Sequence, residues 1–160
     1  MMLAYRLVRL IETHADRLAE GLLVKLENCE KCRDFKKVPG AEFRQRVHEV
    51  YQHLGEWLLG KKEEDIARRY SAIGARRFTQ GVPLSQLLYA LVLVRENLWD
   101  YLKHEAVMEK PVEVFGELEM LQLLEQFFDR AMYFAAQGYE QAERAAGDQA
   151  GERTVHHVGH

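Results

Sequence analysis

A helix stop followed at once by a helix start is the feature that most constrains how this chain can fold. In the stretch Gln80-Gly81-Val82-Pro83, Gly81 stands where a helix end requires a positive φ, and Pro83 suits the first turn of a new helix. The leucines that follow recur at helical spacing: Leu84, Leu87, Leu88, Leu91, Leu98 and Leu102. The turn motif of Gly81 and Pro83 therefore predicts two helices joined by a tight connection.

Apolar residues recur at helical spacing along most of the chain, and the sequence predicts five helices. Their expected bounds are 3–27, 41–59, 63–80, 83–105 and 112–144. Three prolines and no Asn-Gly or Asp-Gly hairpin signal leave almost nothing for a sheet. We therefore expect an all-α, single-domain bundle of about five helices over residues 1–145.

Beyond residue 145 the apolar pattern gives way to Gly, Asp, Gln and Glu, which predicts a disordered tail over 146–160. Three histidines lie in this tail, His156, His157 and His160. Short His-rich tracts bind metals adventitiously, so we assign no metal site to them.

Composition excludes several functional classes. A net charge of −3 argues against nucleic acid as the main partner. The apolar run Leu91–Val94 is too short to span a bilayer, and charges such as Arg6 and Arg9 exclude a signal-peptide core. Walker loops, dinucleotide-binding glycines and Ser/Cys–His constellations are missing from the sequence. We expect a cytoplasmic protein that is not an enzyme and does not bind membranes.

Three histidines in the predicted helices are candidates to bind a cofactor: His14, His53 and His104. A globin-like haem site needs a histidine on an interior helix face, and these are the only candidates within the helices. His14 lies on or beside the apolar stripe of the first helix. A core-edge histidine with one hydrogen-bonded nitrogen is the favoured interpretation there.

The segment Cys29-Glu30-Lys31-Cys32 is a CxxC motif at a helix end. Two thiolates at this spacing can share a zinc ion or form a reducible disulfide. A closed zinc site needs four ligands, and the sequence has no second CxxC. A redox pair expects a βαβ context, which is also missing. Two reduced, free thiols are the favoured interpretation, with a redox pair or a metal site as alternatives.

Charged residues interrupt the apolar stripes at Arg77, Arg95 and Glu125. Arg95 lies sixteen residues before Pro111 and Glu125 fourteen after it. In antiparallel neighbouring helices these two positions have nearly equal heights. The sequence therefore predicts a buried polar node of Arg95 and Glu125, which Arg77 could join. The alternative is that both side chains reach solvent at the bundle rim.

The predicted fifth helix carries two apolar stripes. One contains Val114, Leu118, Leu121, Phe128, Met132, Ala135 and Tyr139, and the other Met120, Leu124, Phe127, Ala131 and Phe134. Together with the wide stripe of the first helix, this is more apolar surface than a five-helix monomer covers. We expect a homodimer formed through the first and fifth helices.

The segment Gly74–Trp99, GARRFTQGVPLSQLLYALVLVRENLW, resembles the middle of the N-terminal domain of RsbRD-type RsbT co-antagonists, regulators of the stressosome type. A looser similarity covers residues 3–144. The resemblance implies an all-helical sensory input domain, usually dimeric and related in shape to non-haem globin sensors. It supplies no ligand or cofactor. Because no STAS or kinase output follows the input domain, we expect the chain to act in trans.

Two functional hypotheses remain open at this stage. The first is a non-enzymatic regulatory module that forms a homodimer and docks on another signalling protein, such as a kinase or a STAS-type regulator. The alternative is a haem- or small-molecule-binding sensor with an internal pocket.

Overall fold

In the computed structural model, the chain forms five α-helices and one 3₁₀ segment, described for backbone residues 2–60, 62–104 and 113–158 and for side chains 5–60, 62–104 and 122–151. The elements are α1 (Met2–Glu27), the 3₁₀ segment (Glu30–Lys37), α2 (Gly40–Gly60), α3 (Glu63–Thr79), α4 (Leu84–His104) and α5 (Glu113–Val158). The prediction of an all-α bundle of about five helices is confirmed. The 3₁₀ segment was not predicted.

Two helix pairs and a bridging helix build the core. α1 packs mainly on α2 and α3 mainly on α5, while α4 contacts both pairs. Buried side chains from all five helices meet in one continuous apolar cluster, for example Leu22, Leu54, Tyr70, Leu98 and Phe128. Within the described ranges, no helix is apolar over enough length to cross a bilayer.

The backbones of α3 and α5 touch where both helices have glycine. A methyl group at Gly74 would lie 2.0 Å from the carbonyl oxygen of Ala135, and one at Gly138 would lie 2.1 Å from that of Ser71. Both distances are far inside van der Waals contact. Any side chain at either position would force the two helices apart, so this close approach depends on glycine.

α1 is interrupted where the sequence predicted a continuous helix. His14 has φ −117° and ψ 21°, outside helical geometry. On the residue before it, the Thr13 hydroxyl donates a 2.7 Å hydrogen bond to the carbonyl oxygen of Arg9. Threonine side chains that bond back by one turn often bend helices, which accounts for the kink at this place.

The two predicted stripes of α5 merge into one broad buried face along its described side chains. Residues of both stripes are at most 1% exposed within the chain's own bundle: Leu124, Phe127, Phe128, Ala131 and Ala135. Met132 and Phe134 are partly buried, so most of the two stripes in this part of α5 is covered within one chain. Val114, Leu118, Met120 and Leu121 lie outside the described side chains.

α5 also runs further than predicted, to Val158 rather than to about residue 144. The apolar pattern does stop where expected, because all residues from 143 to 151 are exposed. The backbone stays helical beyond that point. A domain boundary at 145 and a disordered tail remain predictions, and His156, His157 and His160 lie outside the described side chains.

Candidate functional site

The turn between α3 and α4 has the geometry that its sequence predicted. Gly81 has φ 77° and donates its N–H to the carbonyl oxygen of Phe78 at 3.0 Å. The N–H of Val82 donates to the carbonyl oxygen of Arg77, also at 3.0 Å. These two bonds form a Schellman motif that satisfies the last carbonyls of α3. The carbonyl of Pro83 accepts from Leu87 and so begins α4.

α5 contacts this turn through Tyr139. The hydroxyl of Tyr139 donates a 2.8 Å hydrogen bond to the carbonyl oxygen of Val82, whose side chain is fully buried. The ring of Tyr139 also meets Phe78 edge-on, with 5.4 Å between centroids. The hydrogen bond therefore links the turn to α5, and the aromatic contact links α5 to the last turn of α3.

The 3₁₀ segment also contacts this turn, through Asp34 and Lys37. The Gln86 side chain accepts the Asp34 N–H at 2.8 Å and donates to the Asp34 carboxylate at 2.7 Å. Lys37 donates to the carbonyl oxygen of Gly81 at 3.2 Å. α5 and the 3₁₀ segment thus both contact the motif from Gly81 to Gln86.

The most deeply buried charge in the described chain lies beside this turn. Arg77 is only 3% exposed, and its Nη1 donates to Gln80 Oε1 at 2.7 Å and to Glu42 Oε1 at 3.3 Å. Its guanidinium lies 5.8 Å from the ring centroid of Phe35. A buried charge needs such partners, because an isolated one costs several kcal/mol or more.

Glu42 connects Arg77 to the protein surface. Arg76 contacts both Glu42 oxygens, at 3.1 and 3.2 Å, in a bidentate pair, and Gln80 donates to the same carboxylate at 3.0 Å. The hydrogen bond from Arg76 is the largest cause that lowers the pKa of Glu42, to about 2. We call Glu42, Arg76, Arg77 and Gln80 the Arg77 cluster.

The structure divides the polar node that the sequence predicted. Arg95 Nη1 lies 3.2 Å from Glu125 Oε2, so the two residues matched by helix height do meet. Their side chains are 26% and 46% exposed, however, which places the pair at the rim. Arg77 is buried, as its stripe position implied, but it belongs to the Arg77 cluster and not to this pair.

A double-mutant cycle with Arg95→Met and Glu125→Met is expected to give only a small coupling. Each single change should cost less than about 1 kcal/mol of unfolding free energy, because a solvent-exposed pair is screened by water. Urea unfolding followed by circular dichroism measures both costs. A coupling energy of 2 kcal/mol or more, on the order expected of a buried pair, would contradict this placement.

The three candidate histidines make different contacts. The ring centroids of His14 and Tyr101 lie 5.5 Å apart, and exposed His104 has its Nδ1 3.1 Å from the carbonyl oxygen of Asp100. His53 meets the ring of Tyr70 edge-on, with 6.1 Å between centroids, and burial lowers its pKa below the usual value.

Cys29 and Cys32 are both free thiols. Cys32 is buried, and burial, followed by its interactions with Cys29, raises its pKa to about 12. Its thiol donates to the carbonyl oxygen of Gln86 at 3.9 Å. Among the side chains that the structure describes, no group of three or more His, Cys, Asp or Glu is placed to hold a metal ion.

Sequence reasoning missed a second buried polar group, which joins α1, α2 and α4. Asn97 is 6% exposed and donates to the carbonyl oxygen of Leu18 at 2.9 Å and to the Tyr51 hydroxyl at 2.8 Å. Tyr51 in turn donates to the carbonyl oxygen of Val94 at 3.0 Å. The sequence does contain a signal for this group, because Asn97 is a polar residue within the apolar pattern of α4.

A family model described as RsbT co-antagonist protein rsbRD N-terminal domain matches residues 5–154, which include most of the bundle. Neither the curated proteins nor the solved structures include a significant match to the chain.

Proposed function

The chain belongs to the family of RsbT co-antagonist protein rsbRD N-terminal domains, and from that premise we propose a non-enzymatic input domain that dimerises in the cytoplasm and docks on another signalling protein. The family is a regulatory signalling domain of the stressosome type. The observation that carries the proposal is that the family match covers almost the entire chain. A kinase or a STAS-type regulator is the proposed partner.

Exposed apolar side chains support a dimer formed through α1 and α5. Four large apolar residues are more than half exposed among the described side chains, and three of them lie on these two helices: Tyr5, Val24 and Tyr133. Tyr133 also packs edge-on against Phe134 with 5.1 Å between centroids. Exposed aromatic groups of this kind are enriched at protein interfaces.

The small cavity beside His53 favours this proposal over a haem sensor with an internal pocket. Two cavities among the packed helices have volumes of about 20 and 70 Å³. Pockets for small molecules usually measure about 300–1,000 Å³. His53 and Tyr70 line the smaller cavity, which has room for little more than one water molecule.

Light scattering on the purified chain tests the dimer. We expect a mass of about 37 kDa at micromolar concentration, twice the 18.7 kDa of one chain. Replacing Tyr5 and Tyr133 together by serine should shift the mass towards the monomer. Leu59→Ser, which removes the fourth exposed apolar side chain from α2, is the matched control and should leave the dimer intact. A monomer mass for the unaltered chain would refute the dimer.

Affinity capture from the source cell tests the partner. The unaltered chain should retain a protein with a kinase or STAS domain, identified by mass spectrometry and then rebuilt from two purified components. Failure of the purified pair to form a complex would refute this partner class.

A further inference from the structure

A cleft of about 420 Å³ between α2 and α3 is lined mainly by arginine side chains. Apart from one alanine and one isoleucine, its lining consists of five arginines and a histidine: Arg46, His53, Arg68, Arg69, Arg76 and Arg77. No acidic side chain belongs to this lining among the described residues.

The carboxylates that pair with these arginines lie outside the cleft lining. Arg46 contacts Glu49 at 2.5 Å, and Arg69 contacts Glu56 at 2.6 Å. Arg68 pairs with Asp65 in the same way, and Glu42 serves both Arg76 and Arg77. A guanidinium has five N–H donors, and each of these contacts uses only one or two of them. Each guanidinium therefore keeps donors that its carboxylate contact does not use.

Two buried nitrogen atoms of cleft residues have no hydrogen-bond partner among the residues that the structure describes. They are Nε of Arg77 and Nδ1 of His53. Buried polar atoms in native proteins are nearly always paired, and each exception needs an explanation. An acceptor bound in the cleft would give Nε of Arg77 a partner, and it would also pair with His53 when that ring carries its proton on Nδ1.

The balance of charge around the cleft determines what kind of ligand can bind. The five arginines are paired with four carboxylates, which leaves an excess of one positive charge around the cleft. A multiply charged group with several acceptor oxygens can engage several guanidinium forks at once. The volume lies within the range of small-molecule pockets, about 300–1,000 Å³.

We propose that the cleft between α2 and α3 binds a phosphate-class polyanion carried by a small molecule. Arg46, Arg69 and Arg76 contact its oxygens from the two helices, and His53 and Arg77 form the floor of the site. The bound anion would link α2 to α3. It would then serve as the ligand that the input domain senses. Only this signalling role rests on the proposed function, because the binding itself concerns the purified chain.

Binding is tested with inorganic phosphate and pyrophosphate, with chloride at equal ionic strength as the reference. A ligand that binds only the folded chain raises its melting temperature with concentration. We expect both probes to do so, and pyrophosphate to act at lower concentration because it carries more charge. The His53 ring signals should also shift in NMR spectra. No stabilisation beyond chloride would overturn the proposal.

The double variant Arg46→Gln/Arg69→Gln distinguishes a site from diffuse charge attraction. Both side chains are partly exposed, so the variant should fold and lose pyrophosphate affinity by at least about tenfold, as the loss of charge-assisted hydrogen bonds implies. The matched control is Arg130→Gln, which removes a comparably exposed and paired arginine from α5. Equal losses of pyrophosphate affinity in both variants would overturn the proposed site. That result would not bear on the proposed dimer or on the proposed protein partner.

Discussion

Replacing Gly74 by alanine is expected to lower the free energy of unfolding by about 3 kcal/mol. The added methyl group would lie 2.0 Å from the carbonyl oxygen of Ala135 and 2.8 Å from the amide nitrogen of Tyr139. Both atoms belong to the backbone of α5 and cannot turn aside as a side chain can. The two helices must separate, and the core between them then loses contact.

Gly138→Ala is expected to have a similar cost, because its methyl group would meet the carbonyl oxygen of Ser71 at 2.1 Å. The double variant should cost less than the sum of the two, since one separation of the helices makes room for both methyl groups. Urea unfolding followed by circular dichroism measures each value.

Gly55→Ala is the matched control, a buried glycine in the middle of α2 with no atom within 4 Å of the added methyl group. It should leave stability unchanged or raise it by up to about 1 kcal/mol, because alanine favours the helix. A small cost for Gly74→Ala, equal to that of the control, would show that the helices are not in backbone contact.

Local signals in the sequence predicted the fold well. The turn at Gly81 could be predicted because its chemistry is contained in a few neighbouring residues: a positive φ favours glycine, and Pro83 suits a helix start. The helices followed from apolar spacing alone. The kink at His14 depends on one threonine side chain, and the 3₁₀ segment depends on docking to Gln86, so neither leaves a periodic signal.

Partner assignment was the weaker part of the sequence analysis. The argument from equal helix height found the contact between Arg95 and Glu125, but it was applied only to α4 and α5. Applied to α2 and α3, it would have suggested Glu42 as the partner of Arg77, since both lie at similar distances from the connection near residue 61. Burial could not be deduced this way, because it depends on how all the helices assemble.

Removing the Glu42 carboxylate by Glu42→Ala is expected to cost about 3 kcal/mol, because it leaves the charge of Arg77 buried beside Gln80 alone. Arg77→Met should cost much less, about 1 kcal/mol, since Glu42 keeps Arg76 and an apolar side chain can fill the space. The two sides of this ion pair therefore contribute unequally to stability.

Rescue of one change by the other is the decisive measurement. In the Arg77→Met background, Glu42→Ala should cost less than about 1 kcal/mol, because no buried charge is then left unpaired. Glu140→Ala removes the partner of Arg144 from a well-exposed pair and serves as the control, with an expected cost below about 0.5 kcal/mol. Simple additivity of the Glu42 and Arg77 costs would refute the coupling.

The Arg77 cluster should also leave a signature in the pH dependence of stability. The hydrogen bond from Arg76 is the first cause that lowers the folded-state pKa of Glu42, from an ordinary value of 4.5 to about 2. A depressed carboxyl pKa stabilises the folded state above the unfolded-state value, and this stabilisation is lost as the pH falls from about 4.5 through 2. Because solvent screens this site, we expect a loss of about 1–2 kcal/mol in the unaltered chain.

The Glu42→Ala variant lacks the titrating group, so the stability difference between the two chains should shrink steadily between pH 5 and pH 2. A stability difference that stays constant over this range would show that Glu42 has an ordinary pKa in the folded state. Arg76 would then not lower that pKa.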